Sequence, residues 1–323
     1  MVDIDLKDRK ILYQLDLDAR QSLTQIGKKV NLPKNVVQYR IKRLEEEGII
    51  QRYYTIIDTF RLGYISFRIY FTYQYTTANL QKEIIEFFVN NNDTYWIAST
   101  EGKYNLVVIL WVRDPCRFYM LWQNSLKKFR DYFQVKEFSF YFQLFHFHNS
   151  YLLEDYDKKD RDKYEVIGCG EKIHADELDL KILKTIAPDA RMPITVIAKK
   201  VDSTIPTVTA RLKKLKKTGI IQGFRTEFNI SKLGYQQFKV DIDLKDYSKI
   251  DTITNYLKQN PHLFYITKTA GHADLEPTFR VQGLNQMHEI MDDLNRRFPG
   301  TIKNYNYFYV TEMHKLDYMP VFF

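Results

Sequence analysis

The strongest constraint on this chain is that it contains itself twice. A shift of 171 positions lays Ile11-Leu12 on Ile182-Leu183, Asp18-Ala19-Arg20 on Asp189-Ala190-Arg191, and Lys28-Lys29-Val30 on Lys199-Lys200-Val201. The same shift lays Gly48-Ile49-Ile50-Gln51 on Gly219-Ile220-Ile221-Gln222 and Leu62-Gly63-Tyr64 on Leu233-Gly234-Tyr235. From Asp8 to Tyr64, 24 of 57 positions match without a gap. Chance agreement would be roughly one in sixteen. A duplicated chain folds as two copies of one unit, so each element placed in one half predicts a partner in the other.

Each copy begins with three short helices. In the first, Asp5 caps a helix running to about Leu15, and Ser22 or Leu23 opens a second that ends near Val30. Asn31-Leu32-Pro33 turns the chain, and a third helix runs from Lys34 to Glu47 until Gly48 stops it. Val37, Ile41 and Leu44 share one helical face and can pack on Ile11, Leu12, Leu15, Ile26 and Val30. Ile49 to Asp58 and Ile220 to Asn229 then alternate like extended segments and suit a wing.

Beyond Tyr64 the identity fades but the pattern persists. Strands are predicted at Ile65–Tyr75, Thr94–Thr100, Tyr104–Val112 and Val135–Phe147, with helices at Leu80–Val89 and Asp114–Arg130. The second copy repeats the order, with strands at Tyr235–Leu244, Leu263–Ala270, Asp274–Gln282 and Ile302–Lys315 and helices at Lys249–Asn260 and Asn285–Phe298. This is the β-α-β-β-α-β, or ferredoxin-like, arrangement. The stretch between the copies is rich in Asp, Lys, Glu and Gly, and Gly168-Cys169-Gly170 reads as its flexible part. The fold class is therefore α+β. Two helix-turn-helix units (1–60 and 174–233) are each followed by a ferredoxin-like domain (61–153 and 234–323), with a linker at 154–173.

Charge narrows the partners. The chain carries 48 basic and 40 acidic residues, a net charge of +8, which suits an acidic partner such as nucleic acid. Two cysteines, Cys116 and Cys169, cannot build a disulfide framework and fit a reducing compartment. Met1 to Lys10 lacks the apolar core of a signal peptide. The longest apolar run, Leu106 to Val112, is far shorter than the ~20 residues a membrane helix needs. A cytoplasmic protein with no membrane partner is expected.

If Val37, Ile41 and Leu44 face inward, the third helix shows Lys34, Asn35, Gln38, Tyr39, Arg40, Lys42 and Arg43 to solvent. Asn and Gln make bidentate contacts to adenine and Arg to guanine, whereas Lys and Arg at a helix flank meet phosphates. The second copy shows Thr204, Pro206, Thr207, Thr209, Arg211, Lys213 and Lys214, with Lys216 and Lys217 beyond. Residues 174–233 hold 12 basic and 6 acidic side chains, against 11 and 9 in residues 1–60. The second unit should therefore supply more of the salt-dependent affinity. The shared pairs Arg40/Arg211 and Lys42/Lys213 are the expected phosphate contacts.

These residues resemble the Lrp/AsnC family, the leucine-responsive or feast/famine regulators. The resemblance runs through Asp8-x-x-Ile11-Leu12-x-x-Leu15, Asp18-Ala19-Arg20, Ile26-Gly27-Lys28-Lys29-Val30 and Arg40-Ile41-x-Arg43-Leu44-x-x-x-Gly48-Ile49-Ile50, and again through Leu178-Asp179-Leu180 to Ile221. It covers nearly the whole chain as two fused helix-turn-helix plus ligand-sensing (RAM) halves. It implies a non-enzymatic transcription regulator that binds double-stranded DNA and responds to a small effector such as an amino acid. It further implies a homo-oligomer or an intrachain pseudo-dimer, and no cofactor or metal. In the family a Gly-x-aromatic-Asp turn lies near the effector site. The matching turns are Gly102-Lys103-Tyr104-Asn105, where Asn replaces the acid, and Gly271-His272-Ala273-Asp274, where Ala replaces the aromatic. Gly102, Tyr104, Asn105, Gly271, His272 and Asp274 are the candidate effector residues.

Two rival readings use the same fold. Siroheme decarboxylases look similar, which would imply histidines near the middle strands. Trp96 to Val112 contains none, and His272 alone occupies a comparable place in the second copy, where it suits a turn cap. An oligomeric, chromatin-like DNA-organising protein is the other rival, with Phe138, Phe140 and Phe142 on one face of their strand as association residues. His146 and His148, at i and i+2, fall short of the three or four ligands of a metal site.

Overall fold

The computed structural model describes residues 4–320; residues 1–3 and 321–323, the outer ends of the first and last expected pieces and the start of the Met1–Lys10 stretch, lie outside the described residues. The first copy runs α1 (Leu6–Leu17), α2 (Leu23–Val30), α3 (Lys34–Glu46), β1 (Ile50–Ile57), β2 (Ile65–Tyr73), α4 (Ala78–Val89), β3 (Thr94–Gly102), β4 (Leu106–Val112), α5 (Pro115–Phe129) and β5 (Phe133–His146). A short strand, β6 (Glu165–Gly168), follows. The second copy runs α6 (Glu177–Ile186), α7 (Ile194–Lys200), α8 (Ile205–Lys217), β7 (Ile221–Phe228), β8 (Gln236–Leu244), α9 (Ile250–Lys258), β9 (Leu263–Ala270), β10 (Glu276–Val281), α10 (Leu284–Arg297) and β11 (Ile302–Leu316).

Local chemistry sets the helix ends. Asp5 accepts the Asp8 N–H at 2.8 Å while Asp8 accepts the Asp5 N–H at 3.2 Å, a reciprocal cap on α1. Ser22 and Gln25 make the same cap on α2. Gly48, at φ +64°, ends α3 and turns the chain toward β1.

The sheet order within each half is that of a ferredoxin-like unit: β5-β2-β4-β3 in the first and β11-β8-β10-β9 in the second. Strand residues alternate between faces. On the outer faces, Ile69, Phe71, Val108 and Leu110 pack with Ile84 and Phe88 of α4, and Val240, Ile242, Phe279 and Val281 pack with Ile253, Met287 and Met291 of α9 and α10. The two inner faces meet each other. β11 pairs with β3 from Phe308↔Gly102 to Leu316↔Trp96, and β5 pairs with β9 from Phe140↔Ala270 to His146↔Tyr265. Each copy thus lends its last strand to the other, and eight strands close into a barrel. Closure satisfies edges that two separate sheets would leave unpaired. β6 continues the outer edge of β5 where β2 ends.

The segments after α3 and α8 do not form separate wings. β1 and β7 pair antiparallel with each other, with Tyr53 opposite Thr226 and Tyr54 opposite Arg225. The reason is apolar burial at both ends. Ile57 enters the core of the second helical unit, and Phe228, Leu233 and Tyr235 enter the core of the first. The Asp-Ala-Arg repeat closes the same junction. Arg20 donates to the Ala190 carbonyl at 2.6 Å, and Arg191 donates to the Ala19 carbonyl at 2.5 Å.

The stretch at 154–173, expected as a linker, joins the copies and also packs into them. Arg161 is 1% exposed and donates to the carbonyls of His148, Lys258 and Leu263. Glu165 on β6 pairs at 2.8 Å with Arg225, which is fully buried and also meets Asp16 at 3.0 Å. Asp16 further accepts the Asn149 N–H at 2.6 Å and its side-chain amide at 2.8 Å. Removing one partner of a buried pair costs about 3–5 kcal/mol. Asp16→Ala should lower the unfolding free energy by about that much in urea denaturation, whereas an exposed control such as Glu46→Ala should change it by less than about 0.5 kcal/mol.

Candidate functional site

The outer faces of α3 and α8 are the first candidate site. Val37, Ile41 and Leu44 on α3, and Val208, Leu212 and Leu215 on α8, are buried, so the opposite faces turn to solvent. Lys34, Asn35, Gln38, Tyr39 and Lys42 are exposed, Tyr39 by 67%. So are Thr204, Pro206, Thr209, Lys213 and Lys214, while Thr207 is half-buried.

Four cations on these helices are held by the scaffold. Asp8, only 1% exposed, pairs with Arg40 at 2.9 Å and Arg43 at 2.5 Å, and Asp5 also takes Arg40 at 2.8 Å. The second copy repeats the clamp with the fully buried Asp179, which meets Arg211 at 3.2 Å and Lys214 at 2.9 Å, while Asp176 takes Arg211 at 2.5 Å. Partial burial pushes the Asp5 carboxyl up, but the Asp8 N–H and Arg40 outweigh it and hold it below its usual range. Hydrogen bonds from the Asp179 N–H and Arg211 do the same for Asp176. Arg40 and Arg211, expected on phosphates, thus fasten each third helix to the first helix of its unit. The i, i+4 periodicity that placed them on the outer face carries no information about a carboxylate some 30 positions upstream. The repeated spacing Asp5/Asp8 with Arg40, and Asp176/Asp179 with Arg211, was the available signal.

The two helices differ in what they leave free. Thr204 caps α8 by accepting the Thr207 N–H at 3.3 Å, their hydroxyls pair at 2.8 Å, and Thr209 donates to the Ile205 carbonyl at 2.8 Å. Asn35 and Gln38 on α3 make no such local bonds among the described residues.

The candidate effector turns come together across the barrel. Gly102 and Gly271 have φ of +117° and +147°, and an added Cβ would lie 2.4 Å from the Tyr307 carbonyl or 2.6 Å from the Phe138 carbonyl. Each glycine therefore admits the last strand of the other copy. Asn105 accepts the Tyr73 N–H at 2.8 Å and Asp274 accepts the Leu244 N–H at 2.7 Å, so both side chains secure equivalent strand ends. Tyr104 and His272 point inward, with ring centroids 6.0 Å apart, and both meet the Tyr70 ring.

His272, expected to cap a turn, reaches neighbouring strands instead. Its Nε2 lies 3.0 Å from Asp241, and Asp241, His272 and Glu276 could each offer an atom to one ion. Lys239 already fills that place. Its ammonium bonds both Asp241, at 3.1 Å, and Glu276, and Arg68 meets Glu276 at 2.9 Å. Two cations thus balance two carboxylates. Burial pushes the Asp241 carboxyl up, but Lys239 and His272 outweigh it and keep it ionised. Burial, then Arg68, lowers the Lys239 ammonium.

Beside this network a chamber of about 320 Å³ opens between the two inner sheet faces and the β1–β7 ribbon. Arg68, Trp111, Tyr141, His146, Lys239 and Arg280 are among its walls.

Comparison with known proteins places this geometry. A profile described as winged helix-turn-helix DNA-binding matches residues 4–51 and 176–222. An HTH-type transcriptional regulator of Pyrococcus furiosus is 33% identical over 100 residues, which is 31% of this chain and 68% of that relative. The HTH-type transcriptional regulator LrpA of Pyrococcus horikoshii is 32% identical over 111 residues, 34% of this chain and 77% of LrpA. The chain belongs to the Lrp/AsnC family of HTH-type transcriptional regulators. It is a tandem member, carrying two helix-turn-helix plus RAM halves. The crystal structure of the siroheme decarboxylase NirDL is similar over 98% of this chain and 94% of its own, with a TM-score of 0.65 at 14% identity. That likeness extends the shared fold to the full tandem arrangement. Among the described residues no helix is long and apolar enough to cross a membrane.

His146 and His148 make the fold sensitive to acid. Burial, then Arg225, holds both imidazoles neutral, His148 down to about 2 and His146 well below its usual value. In the unfolded chain both titrate near 6.5. Below that pH the unfolded state takes up protons that the folded state refuses, so stability rises with pH and falls as pH drops. Each histidine should cost about 1.4 kcal/mol per pH unit below about 6. Denaturant titrations across that range should show this slope, and His146→Leu should remove about half of it.

Proposed function

We propose that this protein is a sequence-specific, DNA-binding transcription regulator whose single chain offers two unlike recognition helices to one duplex. The observation that carries this reading is the repeated clamp. Asp8 and Asp179 fix α3 and α8 in place, and the opposite faces turn to solvent, with amide, aromatic and cationic side chains on α3 and threonine and lysine side chains on α8. Asn35, Gln38 and Tyr39 are the base-reading candidates on α3. Thr204, Thr207 and Thr209 spend hydroxyls on their own helix, which leaves α8 a mainly electrostatic role through Lys213, Lys216 and Lys217. Lys34 and Lys42 are the matching phosphate contacts on α3. Arg40, Arg43, Arg211 and Lys214 position the helices.

The intrachain pseudo-dimer supplies what two subunits supply in one-half members. Because the copies differ, it favours a site of two unlike half-sites over a palindrome. The barrel is the candidate sensor of a small effector.

A salt series on the promoter fragment of its own gene tests the assignment. Each phosphate contact contributes about 0.9 to the slope of log K against log salt. Lys42→Ala with Lys213→Ala should lower that slope by about 2. Gln38→Ala should cost about 1–3 kcal/mol on the specific site and almost nothing on random DNA. An unchanged slope and unchanged specificity would remove these residues from the interface.

A second reading is catalysis within the barrel. It is favoured by one observation, the chamber lined by buried cations in a fold shared over its length with NirDL, whose structure is also known with an iron-uroporphyrin III analogue. On this reading, iron uroporphyrin III added to the purified protein gives a shifted, saturable absorption band. A spectrum equal to the sum of the parts contradicts it.

A further inference from the structure

The two halves of the barrel differ sharply where they face each other. In the first half Arg68 lies opposite Ile109 and Ser66 opposite Trp111. In the second, Lys239 lies opposite Thr278 and Gln237 opposite Arg280. Arg68 and Lys239 are equivalent under the 171-residue shift. Ile109 and Trp111 therefore correspond to Thr278 and Arg280. In the first half Val107, Ile109 and Trp111 turn an apolar surface inward beside Arg68, and Tyr95 and Trp111 stack there with centroids 3.6 Å apart and planes 9° apart. The second half turns hydroxyl, amide and cationic groups inward. Two identical subunits could not build this chamber with one wall of each kind.

Arg280 is the decisive residue. It is 9% exposed, and its guanidinium lies 3.3 Å from the Phe264 ring centroid. It donates to Gln237 at 3.1 Å and to Asn149 at 2.7 Å, with the Tyr151 hydroxyl beside it. All three partners are neutral. Arg68, Arg225 and Lys239 each meet a buried carboxylate, but among the described residues no carboxylate forms an ion pair with Arg280. A buried charge without a counter-ion is expensive unless something supplies one. Two more atoms on the chamber wall, His146 Nε2 and Tyr141 OH, are buried without a hydrogen-bond partner. The carboxylates at the chamber wall are engaged elsewhere, Glu227 with Arg52 at 3.0 Å and Asp317 with Lys315 at 3.8 Å.

We infer that the chamber binds a flat aromatic organic acid, with its ring against the Tyr95–Trp111 wall and its anionic group on Arg280. This rests on the regulator reading and names the chemical class of its effector. It places the effector between the sheets rather than at the Gly102 and Gly271 turns. Tyr141 and His146 supply the remaining polar contacts, and the unlike walls give the ligand a single orientation.

The test uses two probes of one shape, naphthalene-2-carboxylate and naphthalene-2-carboxamide, titrated into the full chain by calorimetry and tryptophan fluorescence. The acid should bind about tenfold or more tightly than the amide. Arg280→Gln should abolish that preference, and Trp111→Ala should weaken both probes while keeping it. If Arg280→Gln fails to fold, the acid-to-amide ratio in wild type and in Trp111→Ala carries the test. Equal binding of acid and amide, a preference that survives Arg280→Gln, or no binding of either probe overturns the inference. DNA binding measured on the same samples separates the two claims. Intact DNA binding without probe binding sinks the chamber alone, and probe binding without DNA binding sinks the regulator reading alone.

Discussion

The structure depends on an exchange of strands between two copies of one chain. Each ferredoxin-like half covers its outer face with two helices and leaves its inner face and both edges bare. β5 satisfies the edge of β9 and β11 satisfies the edge of β3, and the ring they close buries both inner faces at once. Gly102 and Gly271 lie where the exchanged strands come so near that a side chain would meet a backbone carbonyl. In a one-half protein this exchange would require a second molecule. Here it is intramolecular, so it operates at an effective concentration set by the connecting chain rather than by expression level. The connecting stretch reinforces the arrangement, because Arg161 and Glu165 are built into the packed interior.

Fusion also releases the copies from symmetry. Identical subunits must repeat each substitution on both sides of a two-fold axis, so a buried charge would appear twice. The fused chain keeps the scaffold equivalent and varies the surfaces. The Asp5/Asp8 and Asp176/Asp179 clamps repeat, as does the reciprocal Arg20 and Arg191 contact. The outer faces of α3 and α8 do not repeat, one being amide-rich and the other lysine-rich. Nor do the chamber walls, where Trp111 in the first half stands at the position that Arg280 takes in the second.

Much of this was legible in the sequence. The repeat, the helical units and the strand order followed from apolar periodicity and capping residues, which are local. What escaped was non-local. Ile49 to Asp58 alternates as a wing would, and nothing in that segment says that its partner is β7. Arg40 and Arg211 sit on the correct face by helical geometry, yet their partners come from another helix. His272 looked like a turn cap because its partners, Asp241 and Glu276, lie on neighbouring strands. The chamber was invisible because Arg68, Lys239 and Arg280 alternate with apolar residues, as outward-facing cations do. Only barrel closure turns that face inward.

The central claim is that one chain presents two unlike helices to one duplex from a closed barrel. A hydroxyl-radical footprint on the isolated promoter site, with the protein-to-DNA ratio fixed by native mass spectrometry, tests it most directly. The account predicts two protected segments of different sequence for each bound chain. A single protected segment per chain, or two segments that appear only when two chains are bound, would contradict it.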